Sequence, residues 1–140
     1  MTYRIVVGVD GSDHGNAALT WAVEEARIRG GEIVAVFAWQ VPFIGVPGAF
    51  DRDEMEGLGK QFLTEAVAAV VPSGAVPVTR LVAQGDVSAS LIEASREADL
   101  LVLGSRGRGG FAGLKLGSVS AECVQHAACP VVVIKRPGDA

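Results

Sequence analysis

Leu100 to Ser118 reads LLVLGSRGRGGFAGLKLGS. An apolar run, Leu100-Leu101-Val102-Leu103, leads into a loop rich in glycine (Gly104, Gly107, Gly109, Gly110, Gly113). Arg106, Arg108 and Lys115 lie in the same loop, and a helix is expected from about Ser118 to Ala127. A strand, a glycine loop and a helix start, in that order, favour an anion such as phosphate. Glycine lets the backbone approach a ligand closely. The free N–H groups and the positive end of the helix dipole then meet negative charge. The basic cluster stands out because the chain as a whole is acidic, with 12 Lys and Arg against 16 Asp and Glu and a net charge of −4.

Outward from this loop, strands and helices alternate. Tyr3 to Val9 is a β-branched run closed by Asp10-Gly11-Ser12. Asp13 to Arg29 has helical period, with Ala18, Ala22 and Ala26 on one stripe and Leu19, Trp21, Val23 and Ile28 widening it. Ser12 or Asp13 is the expected N-cap and Gly30-Gly31 the expected stop. Ile33 to Trp39 is a second strand, and Gln40 to Phe50, with two prolines and two glycines, a loop. Arg52 to Val71 is a second helix with an acidic opening, stopped by Pro72. Val76 to Ala83 is a third strand. A third helix starts at Asp86 or Ser88 and runs to about Ala98. Pro130 to Ile134 is a fifth strand. Nearly continuous apolar strands predict burial on both faces. The β-α-β-α-β-α-β-α-β order predicts a single-domain α/β fold over residues 1–140, an open parallel sheet with right-handed crossovers and helices on both faces. Such sheets bind ligands beyond the carboxyl ends of the strands where strand order reverses, which would set the Asp10 turn against the Gly104 loop.

The 140-residue chain is 49 % hydrophobic and 20 % charged, with mean hydropathy +0.36 and pI about 5.1. That composition suits a folded domain, and the acidity argues against a general nucleic-acid or anionic membrane surface. No apolar run is long enough to span a bilayer and the start MTYRIVVGVD lacks a signal-peptide core. Cys123 and Cys129 have no CxxC or metal-ligand spacing and read as buried thiols. A reducing cytoplasm is the expected location.

The glycine loop lacks the GK[ST] of a Walker A motif. Gly107-x-Gly109-x-x-Ala112 fits the dinucleotide fingerprint only loosely, since it follows the fourth strand and no acidic residue comes at the right distance. Gly104-x2-Gly107-x9-Gly117-Ser118, in contrast, resembles the nucleotide-binding pattern of the universal stress protein family in its ATP-binding branch. RIVVGVDGSDHGNAALTWAVEEA, VFAWQVP and CPVVVIKRP are similar to that family's opening, second strand and close, the last two to actinobacterial members. The resemblance covers essentially the whole chain. It implies a sheet order 3-2-1-4-5, a dimer, and ATP, with Mg²⁺ on its phosphates, held across the ends of the first and fourth strands. By position it implies Gly8, Val9 and Asp10 on the adenine and ribose side, Ala38 at the base, and Leu103 and Gly104 beside the ribose and α-phosphate. Arg106 and Gly107 approach the phosphates, and Gly117, Ser118, Val119 and Ser120 complete the grip through N–H and hydroxyl donors. The family role is regulatory more than catalytic, within the stress response.

Alternatives remain at single residues. Asp10 is either a carboxylate for nucleotide or metal, or a turn and capping residue. Phe37 and Trp39 either stack on adenine or fill core, with core preferred. His14 and His126 read as surface or helix-face residues. A phosphorelay receiver is disfavoured: Asp10 and Asp13 are not adjacent, and the third strand ends Val82-Ala83-Gln84 without a phosphoacceptor. A slow ATP hydrolase and a dimeric module without nucleotide are the rivals in function. Val131, Val132, Val133 and Ile134 form an apolar terminal strand expected to pair with a second copy, unless Lys135, Arg136 and Pro137 mask it.

Overall fold

The computed structural model describes residues 2–40, 51–106 and 116–135. The elements in chain order are β1 (Arg4–Gly8), α1 (Asp13–Arg29), β2 (Glu32–Trp39), α2 (Arg52–Val70), β3 (Val78–Gln84), α3 (Val87–Ser95), β4 (Leu100–Gly104), α4 (Ser118–His126) and β5 (Val131–Ile134). The five strands form one parallel sheet in the order β3-β2-β1-β4-β5. Val6, near the middle of β1, pairs with Val34 on one side and Leu101 on the other. The chain winds outward from β1 in one direction to β3 and in the other to β5. The crevice opens where β1 and β4 part.

Alternation along the strands sends side chains to two cores. Ile5, Val7, Ile33, Ala35 and Val102 meet Ala18, Leu19, Ala22 and Ala26 of α1 and Leu63 and Val67 of α2. Val6, Val36, Leu101 and Leu103 meet Leu91 of α3 and Cys123 of α4 on the other face. Burying each of the large aliphatic chains favours the fold by about 1.5–3 kcal/mol.

The α1 stripe is narrower than expected. Trp21 and Ile28 are exposed, because helical rotation of about 100° per residue carries them more than about 120° from the centre of the buried face formed by Ala18, Leu19, Ala22, Val23 and Ala26. The α1 cap is Ser12, whose hydroxyl accepts from Gly15 N at 3.0 Å, and not Asp13, which is the first helical residue. Gly30 ends the helix in the left-handed conformation at φ 64°. Asp86 caps α3 by accepting from Ala89 N, but α3 ends at Ser95, short of Ala98. β3 departs from the expectation of burial on both faces. Val78 and Val82 pack against the α2 side, while Thr79 and Leu81 are exposed. α3 packs chiefly on β2 and β1, which leaves Leu81 of this edge strand exposed.

Candidate functional site

The turn after β1 is built by Asp10, Gly11 and Ser12. Gly11 takes φ 79°, a left-handed turn that glycine adopts without a Cβ penalty. Asp10 Oδ1 accepts from Ser12 N at 2.9 Å and from the Ser12 hydroxyl at 2.5 Å. The turn role of Asp10 is therefore realised in this structure, at the mouth of the crevice. Opposite it, β4 ends at Gly104 against the first turn of α1. A Cβ on Gly104 would lie 2.7–2.8 Å from the His14 backbone and Cβ. Only a glycine lets strand and helix come this near.

α4 starts differently. Its N-cap is Gly117, with no side-chain cap hydrogen bond. Gly117 N donates to Ser105 O at 2.7 Å, and the helix's own ladder begins with Ala121 N to Gly117 O. Ser120 points its hydroxyl at the Ser105 and Gly117 carbonyls, 3.0 and 3.1 Å away, and so ties α4 to the end of β4. The first-turn N–H groups of α4 thus have no side-chain acceptor supplied by the cap, at the positive end of the helix dipole.

Between these two helix starts lies a pocket. Gly8, Val9, Asp10, Ala38, Leu103, Gly104, Arg106, Val119 and Ser120 all line it. Gly117 and Ser118 sit just outside, at the N-terminal end of α4. Gly107 lies outside the described residues, as do Arg108, Lys115, Arg136, Pro137 and the loop segment 41–50. The lining also includes Phe37, weighed from the sequence between the base and the core, and Gly15, Val36, Val87 and Leu91, which the reading of the sequence did not place at a site. Gly15 carried a signal: a glycine in the first turn of a helix has no reason of propensity. Here a Cβ would sit 2.6 Å from Asp10 Oδ1. Arg106 reaches back so that its Nη2 is 3.5 Å from His14 Nε2, so His14 is a neighbour of the site and not simply a surface residue.

Chemically, the pocket is apolar on the β2 and α3 side and polar on the β4 and α4 side. It could take a flat apolar ring at one end and an anion at the other. Phe37 is half-buried against Phe62, ring centroids 4.7 Å apart, and Trp39 is buried. Cys123 is fully buried, and burial, with the Glu122 and Asp86 carboxylates adding to it, pushes its thiol up to about 11. Burial also raises Cys129, with Asp99 contributing. Both are therefore neutral thiols near pH 7 and poor nucleophiles. Among the described residues no cluster of three or more His, Cys, Asp or Glu is arranged to hold a metal ion. No described helix is long and apolar enough to cross a membrane.

Residues 1–135 match the profile of the Universal stress protein family. The chain belongs to this family. The universal stress protein Rv2623 of Mycobacterium tuberculosis (strain ATCC 25618 / H37Rv) is 36 % identical over 135 residues, which cover 94 % of this chain and 45 % of the relative. The chain thus spans about half the length of the curated relatives it matches. A universal stress protein solved in complex with cAMP superposes with TM-score 0.74 at 27 % identity, covering 96 % of this chain and 97 % of that one. A family protein from Arabidopsis thaliana with AMP bound gives TM-score 0.68 at 26 % identity, over 98 % and 94 %. Structural relatives of this universal stress protein domain therefore bind adenine nucleotides.

Proposed function

We propose that this chain binds ATP in the β1–β4 crevice and acts as a regulatory module of a cytoplasmic stress response, not as a fast enzyme. The observation that carries the reading is the pocket itself. It is apolar where it runs under Ala38 and Val36, and it ends at a helix start whose cap has no side chain. Adenine suits the first part and phosphate the second, with the N–H groups of Ser118, Val119 and Ser120 as donors. Arg106 adds positive charge at the rim, and the Gly104–Ser118 spacing allows close backbone approach to the phosphates. Asp10 would meet the base or ribose through whatever hydrogen-bonding capacity its turn leaves. Mg²⁺ would travel with the phosphates.

The decisive experiment is to denature freshly purified protein, identify the released nucleotide by mass spectrometry, and titrate the emptied protein with ATP by calorimetry. Released ATP together with a saturable binding heat supports the reading. No nucleotide and no heat would overturn it, and mainly ADP would turn it toward a slow hydrolase.

The same reading includes a homodimer. Val131 to Ile134 are each only partly buried, on a strand at the edge of the sheet. Light scattering should give a dimer at tens of micromolar. The Val131→Glu, Val133→Glu double variant should be monomeric with its circular dichroism largely retained.

A further inference from the structure

The two edges of the sheet offer different amounts of unpaired backbone. In a strand each residue turns its N–H and C=O to the same side, and successive residues alternate. At β3, Pro77 O accepts from Ile33 N at 2.9 Å and Gly85 N donates to Trp39 O at 2.7 Å. The odd-numbered residues of β3 therefore face β2, and Val78, Arg80, Val82 and Gln84 turn their N–H and C=O outward. At β5, Leu101 N donates to Pro130 O and Ser105 N to Ile134 O, so only Val131 and Val133 of that strand turn outward. Among the described residues β3 pairs with β2 alone, in unbroken register from Val78 to Gln84. Edge strands are commonly guarded by lysine, proline or a bulge. Here there is no bulge, Arg80 is the one charge in the strand, and Pro77 stands where the backbone faces β2. Leu81, at the centre of the strand, is 43 % exposed.

We propose that the outer edge of β3 docks a second copy of this chain, antiparallel, about a two-fold axis at Leu81. The occupant follows from the parity of the strand. With the axis at Leu81, Val78 meets Gln84 of the second copy and Arg80 meets Val82 of the second copy. All four outward residues of each copy then form hydrogen-bonded pairs, and no outward N–H or C=O of the strand is left over. Leu81 faces its own mate as a non-hydrogen-bonded pair, the kind in which side chains come closest. Two exposed leucines thereby leave water. Neither face of the sheet obstructs the pairing. α2 packs over β2 and β3, so with strands about 4.8 Å apart its mate would lie about 10 Å away across the seam, an ordinary helix spacing. On the other face a groove of about 610 Å³ lies between β3 and α3 and leaves room beside Leu81 and Ala83. Strands of 7 residues bury less than the about 800 Å² per partner of a standard interface, so the contact is weak and forms at high concentration. It requires neither nucleotide nor pairing at β5. Where β5 also pairs, two-fold contacts on opposite edges join dimers into open chains.

Amide hydrogen exchange, followed residue by residue by NMR, reads the parity directly. In wild-type protein at tens of micromolar, the outward amides of Arg80 and Val82 should exchange at least about 10-fold faster than the β2-facing amides of Leu81 and Ala83. At millimolar concentration Arg80 and Val82 should slow at least about 3-fold, while Leu81 and Ala83 keep their rates. Sedimentation should show the mass rising over the same range. Two variants address the contact. Arg80→Pro removes one outward N–H and leaves the ladder to β2 intact. Leu81→Glu, at an exposed position, sets like charges against each other at the axis. Each should retain its circular dichroism and lose the concentration-dependent slowing at Val82. Wild-type rates at Arg80 and Val82 that ignore concentration would overturn the proposal. So would a folded Leu81→Glu protein that slows as the wild type does, which places the contact elsewhere. The same series in the Val131→Glu, Val133→Glu background separates the two edges. Slowing that persists there belongs to β3, and slowing that vanishes with the β5 edge would overturn the assignment. Nucleotide is absent from every arm, so failure here and failure of ATP binding are read independently.

Discussion

The starts of α1 and α4 flank one crevice and are built in opposite ways. At α1, the Ser12 hydroxyl accepts from Gly15 N while donating to Asp10 Oδ1, and Asp10 Oδ1 also takes Ser12 N. Side chains of the turn itself meet donors of this helix start. At α4, the N-cap is Gly117 with no side-chain bond, and the nearby Ser120 hydroxyl is turned back to the Ser105 and Gly117 carbonyls. An exposed helix start with no side-chain cap leaves its N–H groups to water or to a ligand. The difference teaches where negative charge belongs in the crevice: at α4, where among the described residues the cap supplies no side-chain oxygen. α1 instead acts as a fixed wall, held close to β4 by Gly104.

The largest expected effect tests that wall. Gly104→Ala puts a Cβ 2.7–2.8 Å from His14 backbone and Cβ atoms, and backbone cannot swing aside as a side-chain tip can. Overpacking of this kind costs about 1–3 kcal/mol, which urea unfolding will show as a lower midpoint. Nucleotide affinity should fall at least about 10-fold, since roughly 1.4 kcal/mol of lost binding gives that factor and the displaced strand end lines the pocket. Unchanged stability with unchanged affinity would mean the α1–β4 approach does not frame the site.

A sharper test inverts the contrast. Gly117→Asp gives α4 the cap it lacks. Aspartate is the better N-cap by a few tenths of a kcal/mol, so thermal stability should rise slightly. The same carboxylate occupies the place proposed for phosphate and repels it, so ATP affinity should drop about 10-fold or more, a loss of about 1.4 kcal/mol. Stability and binding then move in opposite directions, which mere damage to the fold does not produce. An affinity equal to the parent protein's would move the phosphates away from α4.

Much of this architecture is legible in the sequence. The order of elements follows from the alternation of apolar runs with helical stripes, and the strand order 3-2-1-4-5 came with the family resemblance, not with periodicity. Boundaries held to within a few residues, because Gly30, Asp86 and Gly117 mark ends by local chemistry. What failed did so through tertiary geometry. Trp21 and Ile28 look like stripe residues until the rotation angle is followed around α1. β3 looks like a buried strand, but α3 crosses to β1 and β2 and leaves Leu81 uncovered. At the pocket, the positions named from the resemblance that lie among the described residues fall around one cavity, except Gly117 and Ser118 at the start of α4. Val87 and Leu91 were missed because no local signal tells which helix leans over the crevice.

The smallest effect belongs to α1's own cap. Ser12→Ala removes the acceptor of Gly15 N and the donor to Asp10 Oδ1. Loss of such a cap costs about 1 kcal/mol, a fall of a few degrees in melting temperature for a domain of this size. Binding should respond differently. The turn still holds Asp10 through Ser12 N, and Asp10 Oδ1 loses one competitor for its lone pairs. ATP affinity should therefore stay within about 2-fold of the parent value, less than about 0.4 kcal/mol. Calorimetry and a melting curve on the same preparation separate the two quantities. A loss of 10-fold or more at an unchanged melting temperature would make the Ser12 hydroxyl a ligand contact. The two helix starts would then share the nucleotide, and the division between a self-satisfied wall at α1 and an open anion site at α4 would not hold.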